Sequence, residues 1–345
     1  MSSTAMIIGL GPAVCRAASS AAPDLESRSF TIPSIDPGFQ LYMRNKHLAG
    51  VTSFDPEKTL LFIHGATYPA ETSFDLAIEG VSMMDLFARQ GFDVYLMDVR
   101  GYGGSTRPPE MDQPAADNKP VVSSADAGKD LGAAVDYILT SRSIPKLNLM
   151  GWSWGTSIAG AYTASYNDRV NRLVLYDPAW LVKPTVAPTA AVLPAYRTVS
   201  KESARARWLH PAPEDKQALL IPPGVFEAWW DSTLATDPVG SRMTPPVLRA
   251  CNGVGEEIRN FWLAGRPFYD PGKIEAPTLV IHVEWEADPN SSMAQNFFEQ
   301  LIHAPHKRIV QLMDCTHMVI MEKNRMQLFR EVFGFLTETN PTVLK

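Results

Sequence analysis

Cysteine is scarce in this chain: Cys15, Cys251 and Cys315 are the only three in 345 residues, an odd number with no metal-like spacing. That argues against a disulfide framework and against a cysteine-based zinc site. Blocks of lysine or arginine are also missing. With a net charge of −6 the chain has no basic face to neutralise phosphates, so nucleic acid is not expected as a partner. No apolar run reaches the roughly 20 residues that span a bilayer, which excludes an integral membrane segment. Residues 5–15 (AMIIGLGPAVC) have the length of a signal h-region, but no Lys or Arg precedes them as a secretory n-region requires. Residues 1–28 therefore read as a flexible arm of a cytoplasmic chain; a secreted or periplasmic fate would need residues 1–22 to act as a signal. Internal repeats and low-complexity tracts are absent as well.

What is present is an ordinary globular composition, 45% hydrophobic and 20% charged. Short apolar runs alternate with helical patterns. FTIP and FQLYMR read as an opening strand or hairpin, and TLLFI (59–63) as a buried strand leading into His64-Gly65-Ala66. A helical pattern with Met83, Met84, Leu86 and Phe87 follows, and Gly91 is placed to end it. FDVYLMDV (92–99) closes in Arg100-Gly101-Tyr102-Gly103-Gly104, where Arg100 is expected to fix neighbouring loops. Ser124 or Asp126 is expected to cap the next helix. LNLM, RLVLYD (172–177), PTLVIHV (277–283) and KRIVQLM (307–313) are further strands, and Phe329, Val332, Phe333 and Phe335 mark a C-terminal helix. Such alternation predicts a mostly parallel, doubly wound α/β sheet formed by residues 29–178 and 275–345. It stops for about a hundred residues after Asp177, far beyond an ordinary connection, so residues 179–274 read as an inserted helical cap.

One stretch carries the chemistry. In LNLMGWSWGTSIAG (147–160) a serine stands between two tryptophans and two glycines, where a strand meets a helix. A serine is pushed out beyond a sheet edge only if the backbone bends sharply, and residues without side chains two before and two after it permit the bend. Gly151 and Gly155 occupy those places around Ser153. A serine hydroxyl needs a base to become a nucleophile. Of the seven histidines, His317 alone follows a late strand and precedes the last helix, on the sheet end that carries Ser153. His64 also ends a strand, but its neighbours suggest a loop role. Cys315 reads as a packed small residue, since a buried thiol without a base is inert.

Taken in order, His64-Gly65, Asp98-x-Arg100-Gly101-x-Gly103, Gly151-x-Ser153-x-Gly155 and the Thr316-His317 turn resemble the α/β-hydrolase superfamily over residues 30 to 338, in its cap-bearing, esterase-like branch. The resemblance implies a Ser–His–acid triad with the acid between serine and histidine. Related chains read G-E-W-D after the strand that follows the cap; Val283-Glu284-Trp285-Glu286 departs twice and puts Glu286 at the acid position, with Asp288 and Asp177 as alternatives. The expected oxyanion donors are the backbone N–H groups of Ala66 and Trp154, and Thr67, Trp152 and Trp180 are candidates for substrate contact. No metal or organic cofactor is implied. The expected reaction is hydrolysis of a carboxylic ester of a small to medium apolar or aromatic substrate. Amide, lactone or carbon–carbon hydrolysis and acyl transfer remain open on the same triad. So does a ligand-binding receptor that keeps the fold, and the chain is compatible with a homo-oligomer.

Overall fold

The structure, a computed structural model, describes residues 23–181, 192–286 and 291–339. The N-terminal segment 1–22 and Asp288 lie outside the described residues. Ten strands are described: β1 (Leu25–Pro33), β2 (Gln40–Leu48), β3 (Thr59–Ile63), β4 (Asp93–Met97), β5 (Leu147–Trp152), β6 (Val170–Tyr176), β7 (Tyr196–Val199), β8 (Leu248–Cys251), β9 (Thr278–Trp285) and β10 (Lys307–Thr316). Eight of them form one sheet in the order β1-β2-β4-β3-β5-β6-β9-β10. β2 alone runs against the others; from β4 to β10 every pairing is parallel.

The residue pattern explains the layering. β3, β4 and β5 are buried at every position, and their sequences are mostly apolar, as in strands covered on both faces. β2 alternates buried and half-buried positions, the mark of a strand wet on one side. Successive β3 residues feed two cores: Leu61 and Ile63 join Leu131, Val135 and Ile158 on one face, while Leu60 and Phe62 join Phe87, Phe329 and Val332 on the other. The first core is covered by α3 (Ser124–Arg142), α4 (Trp154–Ser165) and α9 (Ser291–Gln300). The second is covered by α1 (Ala70–Phe74), α2 (Met83–Ala88) and α10 (Arg325–Thr337). No helix among the described residues is long and apolar enough to cross a membrane.

Between β6 and β9 the chain inserts α5 (Lys201–Leu209), α6 (Glu214–Leu220), α7 (Val225–Ala235) and α8 (Gly253–Glu257). The insertion is not purely helical, because β7 and β8 pair as an antiparallel ribbon, Tyr196 opposite Cys251. Trp208 and Trp229 pack into the same core as Phe62 and Met150, which makes the insertion continuous with the sheet. The cap of α3 also differs from expectation. Ser123 and Asp126 form a reciprocal capping box, while Ser124 is drawn away to Glu257, its N–H donating to Oε1 at 2.6 Å.

Arg100 is one of the buried ties of the fold. Its Nε and Nη2 donate to the two oxygens of Asp130 at 2.9 and 2.6 Å, and Nη1 donates to Asp36 at 2.7 Å. The Asp130 side chain is 0% exposed. Truncation of Arg100 to alanine would leave that carboxylate buried without its counter-charge, with only Ser34 Oγ and the backbone N–H of residue 100 still donating to it, a loss of about 3–5 kcal/mol. Thermal unfolding should show Tm lowered by on the order of 5–10 °C; an unchanged Tm would contradict this assignment.

Candidate active site

His64, Ser153, Asp177, Glu286 and His317 all follow directly on the carboxyl ends of parallel strands: β3, β5, β6, β9 and β10. Ligands of open α/β sheets bind at this end. Ser153 has φ 55 and ψ −121, a conformation rare for a residue with a side chain. The glycines around it make that turn feasible. A Cβ on Gly151 would stand 2.3 Å from the carbonyl oxygen of Gly155, and one on Gly155 would stand 2.5 Å from that of Ile63. A Cβ on Gly65 would lie 3.1 Å from Ser153 Cβ, so the loop after β3 runs directly against the serine.

That loop is held by buried polar contacts. His64 is fully buried, its Nε2 accepting from the Val99 N–H at 3.0 Å and its Nδ1 lying 2.7 Å from the Gly65 carbonyl. The bonding requires a neutral ring with its proton on Nδ1, and burial pushes its pKa down to about 4 against the opposing Gly65 contact. Asp98 accepts from the N–H groups of Ala70 and Gly104 at 2.7 and 2.9 Å; burial outweighs these bonds and pushes its carboxyl up to about 6. The Ala66 carbonyl accepts from Tyr102 Oη at 2.8 Å and Arg197 Nη2 at 2.9 Å, and Thr67 Oγ1 accepts from the same Nη2 at 2.8 Å. Among the described residues the Ala66 N–H makes no backbone hydrogen bond. Trp154 opens α4, where an N–H has no partner within the helix.

His317 follows β10. Its Nδ1 is hydrogen-bonded to Asp177 Oδ2 at 2.6 Å, and Glu286 Oε2 lies 2.7 Å from the same nitrogen. Two of the three candidate acids thus meet at one atom, and the third, Asp288, lies outside the described residues. Asp177 has φ 57, an aspartate in the left-handed region at the end of β6. Burial would push the imidazole down, whereas the two carboxylates, where ionised, push it up and outweigh the burial. Asp177 is raised well above the usual carboxylate range by burial and then by the charge of Glu286. These three groups have donor types that suit a divalent ion. Their contacts of 2.6 and 2.7 Å are nevertheless hydrogen-bond lengths, whereas ligands sharing a tetrahedral zinc sit about 3.3 Å apart.

A cavity of about 300 Å³ opens over Ser153 and His317. Gly65, Ala66, Thr67 and Tyr68 line it from the loop after β3, and Trp152, Glu286 and Met318 from the sheet side. The insertion contributes Ala204, Ala206, Arg207, Trp208, His210 and Pro211. Trp152 lies parallel to Tyr176 at 5.9 Å and 5.3 Å from the His317 ring. Trp180, expected at the substrate, is not among the lining residues; it is 1% exposed and packs edge-on against Tyr269 and Phe297.

Three braces escaped the sequence. Arg197 is the first. The second is Glu257, whose carboxylate accepts from Ser124, whose Oγ in turn accepts from Trp154 Nε1 at 2.7 Å. The third is Glu322, fully buried, which accepts from Trp208 Nε1 at 2.8 Å and from the Thr316 N–H at 3.1 Å; burial pushes its carboxyl up to about 7. Only Glu322 left a trace in sequence, a lone acid in the apolar run MVIMEK just after His317.

A profile of the alpha/beta hydrolase fold family matches residues 58–324. Among solved structures, the chain is similar to the enol-lactonase from Burkholderia xenovorans LB400, with TM-score 0.60 and 17% identity over 89% of this chain and 100% of that one. It is also similar to a thermophilic esterase from Thermogutta terrifontis, with TM-score 0.57 and 18% identity over 90% and 100% of the two chains. An epoxide hydrolase from potato gives TM-score 0.60 and 14% identity over 91% and 100%. Among curated proteins, none matches the chain by sequence.

The depressed pKa of His64 has a measurable consequence. The unfolded ring binds a proton below pH 6.5 and the folded one only below about 4. Stability contributed by the neutral ring is therefore complete above 6.5 and lost as pH falls to about 4, by up to about 3 kcal/mol. Denaturant unfolding of wild type and His64→Asn across this range should show their stability difference shrinking by that amount. A pH-independent difference would mean that the ring is not held neutral.

Proposed function

The chain belongs to the α/β-hydrolase fold family, and from that premise we propose that it is a serine hydrolase cleaving a carboxylic ester of a small to medium, largely apolar substrate. The observation that carries this reading is Ser153, turned outward at positive φ, lining one cavity with His317. Ser153 Oγ attacks the ester carbonyl as His317 Nε2 takes its proton. The oxygen of the tetrahedral intermediate rests on the N–H groups of Ala66 and Trp154, a contribution of about 3–4 kcal/mol per donor in favourable cases. His317 returns the proton to the departing alcohol, and a water deprotonated by His317 then releases the acid from Ser153.

The insertion serves as the cap of this site. Trp152, Tyr68, Trp208 and Met318 give the cavity apolar walls, and its volume of about 300 Å³ is at the small end for ligand pockets. Thr67 offers a hydroxyl to a substrate oxygen while Arg197 fixes its orientation. The similar structures include a lactonase, an esterase and an epoxide hydrolase, so the fold does not choose the bond. A serine at the nucleophile position favours acyl chemistry over epoxide opening, and lactone, amide and carbon–carbon substrates are the nearest competitors. A ligand-binding receptor of the same fold is the reading outside catalysis.

A fluorophosphonate probe should label the protein once, at Ser153. Ser153→Ala and His317→Ala should each lower turnover of short p-nitrophenyl esters by at least about 10³-fold. A folded wild-type protein that neither labels nor turns over any ester, lactone or amide in a panel would replace this reading with the receptor.

A further inference from the structure

One ring nitrogen of His317 lies within hydrogen-bond length of two carboxylates, at 2.6 Å from Asp177 and 2.7 Å from Glu286, whose side chains are 2% and 6% exposed. At that depth water does not screen two bare carboxylates from each other. Two arrangements relieve the repulsion. In one, both carboxylates are ionised around an imidazolium. In the other, the imidazole is neutral and one proton lies between the carboxyls, as in paired catalytic carboxylates elsewhere. Both hold the same number of protons and the same net charge of −1; they differ only in where one proton sits. The first buries three charges and leaves Nε2 without a lone pair. The second buries one charge and leaves Nε2 able to accept.

We infer that Asp177 and Glu286 serve His317 as a single acid, sharing one proton while the imidazole is neutral. The inference deepens the serine-hydrolase reading and rests on it for its kinetic arm. When Nε2 takes the proton of Ser153, the new imidazolium meets one full negative charge spread over two carboxyls, and the shared proton stays where it is. Among the described residues, the other groups facing the trio do not replace it as a source of charge balance. From β6, Tyr176 donates its hydroxyl to the His317 carbonyl at 2.5 Å. Cys315 at the end of β10 and Glu322 beyond it are buried, and burial favours the neutral form of each. Arg207 and His210 of the insertion are exposed on the far side of the cavity. The upward displacement of Asp177, from burial and the charge of Glu286, agrees with a carboxyl that holds a proton at neutral pH.

The test uses Asp177→Asn, Glu286→Gln and the double variant, each read by the pH profile of kcat/KM and by the ¹⁵N NMR titration of the His317 ring. With one shared proton, each single variant keeps one negative charge on Nδ1. Each should retain activity to within about tenfold, with its acid limb within about one pH unit of wild type. The double variant should lose about 10⁴-fold, as when a lone triad acid is amidated. Two results overturn the inference. One is a single variant, or Asp288→Asn, as damaging as the double, which would make that residue the sole acid. The other is a wild-type ring that remains imidazolium above pH 8 and becomes neutral there on either substitution, which would mean both carboxylates are ionised. If Ser153 does not react with the fluorophosphonate, the serine-hydrolase reading has failed, and the ring titration still decides the proton.

Discussion

Gly155 lies so close to β3 that a methyl group on it would stand 2.5 Å from the Ile63 carbonyl oxygen and 2.7 Å from that of His64. This approach of helix to strand governs the rest of the site. Because α4 can come that near, the turn between β5 and α4 is short enough to force Ser153 to φ 55, and its side chain is lifted clear of the sheet. The free amide at the start of α4 is brought beside the loop after β3 by the same contact. Side chains at 151 and 155 would push the layers apart, and serine, helix amide and loop would separate together.

The insertion is attached to this arrangement by more than apolar packing. Arg197 of β7 holds the Ala66 carbonyl and the Thr67 hydroxyl; Glu257 of α8 holds Ser124 and through it the Trp154 indole; Trp208 of α5 holds Glu322 and through it Thr316. Each contact reaches a different loop: the one after β3, the elbow at Ser153, and the one that carries His317. The Glu257 and Trp208 contacts are buried and the Arg197 contacts partly so; a buried hydrogen bond to a charged group contributes about 1.5–3 kcal/mol, and an unmade one is costly. The cavity roof therefore cannot shift far without disturbing the groups beneath it. In the reading proposed here, closure of the cap and alignment of the reacting groups are one event.

Local pattern made much of this legible. The runs TLLFI and LNLM are strands because an unbroken apolar segment of that length is stable only between two covered faces, and β3 occupies Thr59–Ile63 as read. Ser153 and His317 were visible because their neighbours in sequence are their neighbours in space. The braces were not, since the Arg197, Glu257 and Trp208 contacts span 131, 133 and 114 residues and leave no periodic trace. Trp180 misled because an aromatic ring serves a core and a pocket equally well, and only the position of Tyr269 and Phe297 decides between them.

The acid is the instructive case, because the sequence posed it as a choice among alternatives. β6 and β9 are hydrogen-bonded neighbours, with Tyr176 opposite Ile281, and adjacent strands lie about 4.8 Å apart. A carboxylate just beyond the end of each lies within side-chain reach of the other. β9 runs on past Ile281 to Trp285, and Asp177 has a left-handed backbone, yet both carboxylates end within 2.7 Å of the same ring nitrogen. β10 flanks β9 on the other side and delivers His317 to the same point. Strand order thus brings together two acids that the sequence separates by more than a hundred residues. Both carboxylates end within hydrogen-bond length of one ring nitrogen, and that convergence is what a proton shared between them relieves.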